Sequence, residues 1–172
     1  LPWRGCFFDR LAPSLEQGNF EDTEYSQDDR SQCMESRSVE ELQQIAVDVA
    51  CFLHQQRADR IRILRVREML QISSFFILAS GRSGRQVRNF GDAVERHLKP
   101  LHLPRLGIHG RDDARWFCID HGEIVLHLFD EESREMYDLD QLWAHAPLVE
   151  VDFKALATAT EDSASASLDS VD

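Results

Sequence analysis

The stretch Phe75-Phe76-Ile77-Leu78-Ala79-Ser80-Gly81-Arg82-Ser83-Gly84-Arg85-Gln86-Val87 decides the fold class. Phe75 to Ala79 is apolar at every position, the pattern of a strand covered on both faces and placed near the middle of a sheet. Gly81 to Gly84 reads as a turn. Ser83 and Gln86 have capping-box spacing, and Val87, Phe90, Val94 and Leu98 recur at three- and four-residue steps, so an amphipathic helix follows and stops at Pro100. A doubly covered strand feeding such a helix requires layers on both sides of one sheet.

Working outward, Ser38 with Glu41 forms a second capping-box pair. Val39, Leu42, Ile45, Ala46, Val49, Phe52 and Leu53 then lay one apolar stripe along a helix to about residue 56. Ile61 to Val66 reads as a strand, with Arg62 and Arg65 marking an edge or half-exposed position. Arg105 to His109 is a candidate short strand. Trp116 to Ile119 and Ile124 to Phe129 flank Asp120-His121-Gly122-Glu123, where Gly122 can take the positive φ of a tight hairpin. Past Phe129 the pattern turns helical and acidic, with short turns over Glu131 to Met136 and Asp138 to Trp143. Met136, Leu139, Leu142 and Trp143 are expected to share a face. The expected fold is α+β, a mixed sheet of about five strands flanked by helices, over residues 38–153. Residues 1–37 and the acidic tail 154–172 are expected to be disordered, since neither has the sustained apolar period that a packed element needs. Met34, four residues before the first helix signal, is a candidate start of the functional chain.

Composition narrows the function. The 172 residues carry a net charge of −12, divided as −4 over residues 1–37, +2 over 38–129 and −10 over 130–172. So acidic a C-terminal third is repelled by a bare phosphate backbone and attracted to a basic protein surface. No apolar run approaches the roughly 20 residues of a membrane-spanning helix, so a soluble, cytoplasmic protein without membrane contact is expected. Cys6, Cys33, Cys51 and Cys118 lack the close pairs of zinc or redox motifs and read as idle thiols.

Several chemistries fail on residue type. A glycine turn opening a helix beside Arg82, Arg85 and Arg88 suits phosphate, yet it lacks the Gly-Lys-Ser/Thr ending of a P-loop, and the RNA-clamping GXXG loop joins two helices. A nucleotidyltransferase-like, nucleotide-binding enzyme is the alternative reading; it needs paired strand carboxylates for metal, whereas Asp120 and Glu123 sit at a hairpin tip. His109, His121 and His127 come from separate elements, and Cys118 lies in an apolar strand. No catalytic residue, metal or cofactor is assigned. What remains is an aromatic, acidic surface of Trp116, Tyr137 and Trp143 with Glu131, Glu132, Glu135, Asp138 and Asp140. Aromatic anchors ringed by charge suit a protein interface, while Trp116 and Trp143 also suit a place partly in the core.

The strand-turn-helix block resembles the ribosome silencing factor family, also called Iojap-like proteins. So do Gly107-x-x-Gly110, Trp116, Asp120-x-Gly122-Glu123, His127, Glu131-Glu132-Ser133-Arg134, Tyr137 and Leu142-Trp143. Ser74 and His109 depart from it, standing where the family usually has aspartate and glutamate. The resemblance implies a nucleotidyltransferase-like fold without the catalytic carboxylates, and a binding protein, not an enzyme. It implies attachment to the large ribosomal subunit through its protein fourteen, with little direct nucleic-acid contact, blocking the small subunit and repressing translation; some members form a homodimer. Partner contacts are then expected at Trp116, Glu131, Glu132, Arg134, Tyr137 and Trp143.

Overall fold

The computed structural model describes residues 37–153. The segments read as extensions, Met34 among them, fall outside that range except for Arg37. Helix α1 (Val39–Gln55) leads to strands β1 (Asp59–Arg65) and β2 (Phe75–Gly81), then helix α2 (Gly84–Leu98) with a 3-10 turn at Lys99–Leu101. Strands β3 (Gly107–His109), β4 (Trp116–Asp120) and β5 (Ile124–Asp130) follow, then helices α3 (Glu131–Tyr137) and α4 (Leu139–Leu142), and strand β6 (Leu148–Val149).

The strands form one mixed sheet in the order β3-β4-β5-β2-β1-β6. Only β2 and β5 run parallel, in register from Phe75 opposite Ile124 to Gly81 opposite Asp130; the other neighbours are antiparallel. The sheet has six strands, not about five. The sixth is two residues long and follows Pro147, too short to show alternation. Strand β6 pairs only with Ile63 and Leu64 of β1, so β1 is the penultimate strand and its centre is buried.

Period-two alternation divides the core. Phe75, Ile77 and Ala79 of β2, Ile124, Leu126 and Leu128 of β5, and Phe117 and Ile119 of β4 face α1 and α2. The helices answer with Leu42, Ala46, Val49 and Leu53, and with Val87, Phe90, Val94 and Leu98. Each such aliphatic or phenyl side chain removed from water contributes about 1.5–3 kcal/mol. The opposite sheet face carries Leu64, Phe76, Leu78, Cys118, Val125 and Phe129. It is covered by the segment from Val66 to Ile72 and by α3 and α4, through Leu139, Tyr137 and Trp143.

Local chemistry sets the boundaries. The Ser38 hydroxyl accepts from the Glu41 N–H at 3.2 Å and the Glu41 carboxylate accepts from the Ser38 N–H at 2.8 Å, a complete capping box. At α2 the box is half shifted: Ser83 accepts from the Gln86 N–H at 3.4 Å, but Gln86 Oε1 accepts from Arg82, one residue before the cap. Gly91 lets α2 lie against β4, since a Cβ there would sit 1.9 Å from the Phe117 ring. Gly110 leads from β3 towards Trp116 at φ +72°, where a Cβ would lie 1.9 Å from the Trp116 carbonyl oxygen. Gly110→Ala combines a left-handed backbone with a backbone clash and is expected to cost at least about 2 kcal/mol. Urea unfolding reads it, and an unchanged midpoint would contradict the assignment.

Candidate functional site

The second sheet face brings the expected aromatic residues together. Trp116 at the start of β4 stacks on Phe129 at a 5.1 Å centroid distance and meets Tyr137 of α3 at 4.6 Å. Trp143, just past α4, stands edge-on to Phe76 at 5.3 Å. All three expected aromatics are half-buried, so each is at once part of the core and part of the surface. Beneath them His127 is buried; its Nδ1 accepts from the Trp116 indole N–H at 3.3 Å and its ring meets the Phe76 edge at 5.1 Å. Burial, followed by the nearby Arg134 charge, pushes the His127 pKa down to about 3, so the ring is neutral at ordinary pH.

The acidic residues fall into two sets. Glu131 and Glu132 are exposed in the first turn of α3, which Asp130 caps by accepting from the Ser133 N–H at 2.8 Å. Neither glutamate has an ion-pair partner among the described residues. Glu135 and Asp140 are engaged internally. Glu135 pairs with Arg60, and Asp140 accepts from Arg62 at 2.7 Å and from Arg134 Nε at 2.6 Å, with a second Arg134 bond at 3.1 Å. Burial pushes the Asp140 carboxyl up, but the hydrogen bonds and charges of Arg134 and Arg62 together outweigh it and hold the pKa below the usual value.

Arg134, expected at the partner surface, is 1% exposed. Its guanidinium also reaches the Arg60 carbonyl at 3.3 Å and Ser80 Oγ at 3.5 Å, and lies 5.6 Å from the Phe129 ring centroid. The expected shared face of Met136, Leu139, Leu142 and Trp143 is also corrected. Leu139 and Trp143 pack on the sheet, whereas Met136 and Leu142 are 62% and 58% exposed. Asp138, left-handed at φ 41°, breaks the segment into two helices, so one 3.6-residue period does not run through it.

The hairpin-tip carboxylates do structural work. Asp120 accepts from the Gly122 N–H at 2.7 Å and Glu123 accepts from the Ser74 hydroxyl at 2.5 Å, while Gly122 has φ +79°. Among the described residues no three His, Cys, Asp or Glu side chains gather as a metal site, and no helix is long and apolar enough to cross a membrane. Sequence reasoning missed the pairing of Arg62 with Asp140. Its signal was Arg134 itself, the only Lys or Arg among eight acids between residues 130 and 153.

Together these features define an α+β protein whose mixed sheet carries helices on one face and an acidic, aromatic cover on the other. Residues 39–172 match the family described as ribosomal silencing factor during starvation, and the chain belongs to that family. It is 30% identical to ribosomal silencing factor RsfS of Halalkalibacterium halodurans over 115 residues, 67% of this chain and 96% of that protein. Mouse mitochondrial assembly of ribosomal large subunit protein 1 is 33% identical over 94 residues, 53% of this chain and 41% of that one. A crystal structure of a protein from Bacillus halodurans superposes with a TM-score of 0.55 at 28% identity, covering 65% of this chain and 99% of the other.

His127 makes stability pH-dependent. The unfolded chain takes up its proton near pH 6.5 and the folded chain only near 3, so stability falls as the pH drops below 6.5 and continues falling to about 3. Roughly 2 kcal/mol is lost through this group between pH 6.5 and about pH 5. In urea unfolding at about pH 7 and about pH 5, His127→Gln is expected to lose about 2 kcal/mol less than wild type over that interval. Equal losses in both proteins would refute the assignment.

Proposed function

We propose that this protein represses translation by binding the large ribosomal subunit through its protein fourteen and sterically blocking attachment of the small subunit. The observation that carries this reading is the pair Glu131 and Glu132, exposed and without ion-pair partners beside half-buried Trp116 and Tyr137. Free carboxylates next to amphipathic aromatics suit a basic protein surface: the charges steer the encounter and the rings supply desolvated contact area. The relatives' names, a silencing factor in a bacterium and a large-subunit assembly protein in mouse mitochondria, point to the same partner class.

The action is occupancy, with no turnover and no cofactor. A bound protein of 19.8 kDa excludes any second body whose docked position overlaps it, so affinity and placement are the only quantities that matter. Residues 38–153 are the unit that docks, in the cytoplasm, as one copy or two. Trp116, Tyr137 and Trp143 join the two glutamates as contacts. Arg134 does not, because its guanidinium is enclosed.

Two measurements follow. Wild type is expected to co-sediment with purified large subunits and to suppress subunit pairing on a sucrose gradient, whereas Glu131→Lys with Glu132→Lys binds at least about tenfold more weakly. Unimpaired binding by the double variant would move the contact elsewhere. Undisturbed subunit pairing at saturating wild type would end the reading itself.

A further inference from the structure

We infer that Arg134 is a positioning residue for docking: it fixes α3 and α4 on the sheet so that Glu131, Glu132 and Tyr137 stand in register with a partner it never touches. This rests on the docking reading above and assigns a role to the one buried cation of the acidic segment. Three elements converge on the guanidinium. Asp140 of α4 takes two bonds, the Arg60 carbonyl of β1 takes one, and Ser80 of β2 lies at 3.5 Å. The Arg60 acceptor is presented by an irregular turn of chain. Arg60 has φ 51° and falls where the β1–β2 register shifts between Asp59 and Arg62, so its carbonyl is not committed to that ladder.

Ordinary packing is a weak alternative. Helices α3 and α4 have seven and four residues, too short to be stable by propensity. In α3 the buried residues are Ser133 and Arg134, and in α4 only Leu139. A cover with so few apolar anchors slides easily. A planar fork with bonds in several directions, placed against the Phe129 ring, resists sliding in a way one apolar contact does not. Arg62 extends the restraint by binding the same Asp140 carboxylate from β1, and the exposed Arg60–Glu135 pair lies on the flank. The acids of this segment thus divide their work: Asp140 and Glu135 hold the ridge, and Glu131 and Glu132 face outward.

The test uses the full chain and purified large subunits. Arg134→Met keeps length and apolar stem but removes every bond of the fork, and Arg62→Gln weakens the same carboxylate from a partly exposed position that folding tolerates. Affinity, thermal unfolding and amide hydrogen exchange are read together. Arg134→Met is expected to lose roughly three- to thirtyfold in affinity at a temperature where it stays folded. Its amides over residues 131–142 should exchange faster while those of β2 and β5 keep their protection. Arg62→Gln should move the same quantities in the same direction by less, and it carries the test alone if Arg134→Met does not fold. Wild-type affinity in a folded variant would overturn the inference, as would weakened binding with unchanged exchange over residues 131–142. Failure of wild type to bind would instead sink the docking reading, and loosened exchange in the variants would still show the restraint.

Discussion

The parallel contact between β2 and β5 is the constraint from which the rest of the molecule follows. Both strands are buried on both faces, and their register sets Phe75 beside Ile124 and Phe76 beside Val125. A sheet centre with apolar side chains up and down cannot leave either side to water. Helices α1 and α2 cover one side with long apolar stripes. The other side receives whatever the chain offers after β5, and that is a short, acidic segment.

That segment explains the electrostatic division. It must cover Phe76, Val125 and Phe129 while carrying charges that water solvates better than protein does. The solution in the structure is amphipathic aromatics at the boundary and arginines drawn from β1. Trp116, Tyr137 and Trp143 bury their rings while keeping part of each side chain at the surface. Arg60 and Arg62 supply positive charge to α3 and α4 from the sheet. What is left uncompensated, Glu131 and Glu132, lies at the N-terminus of α3, where the helix dipole favours anions.

Much of this was readable from residue pattern, and the exceptions have physical causes. The central strand, both long helices, their caps and the hairpin at Gly122 follow from strong periodicity and turn chemistry, which are local properties. Strand β6 was not readable, because two residues after a proline carry no period, and its pairing with Ile63 and Leu64 depends on β1 being nearby. The continuous face expected through Met136 and Leu142 failed at Asp138, where a single left-handed residue resets the helix phase. Arg134 was misplaced for a related reason. A charged residue in an acidic run reads as solvated surface, and only the tertiary fold reveals that Arg60, Ser80 and Asp140 surround it.

An enclosed arginine is a costly way to hold a helix, and that cost separates two possible uses. Desolvating a guanidinium and a carboxylate offsets most of their mutual attraction, so well-packed apolar residues of similar volume often stabilise as much or more. If stability were the only requirement, Leu or Met at residue 134 and an apolar partner at 140 would serve. Apolar contacts, however, are indifferent to small rotations and slips, whereas a planar fork meeting a shared carboxylate is satisfied in one geometry and leaves buried charge unpaired in the others. Near Arg134 the penalty for misplacement is therefore steep even though the net gain over an apolar design is small. Such a profile suits a surface whose task is to present two carboxylates and an aromatic edge at a set spacing. It suits poorly a surface whose only task is to keep water off the sheet.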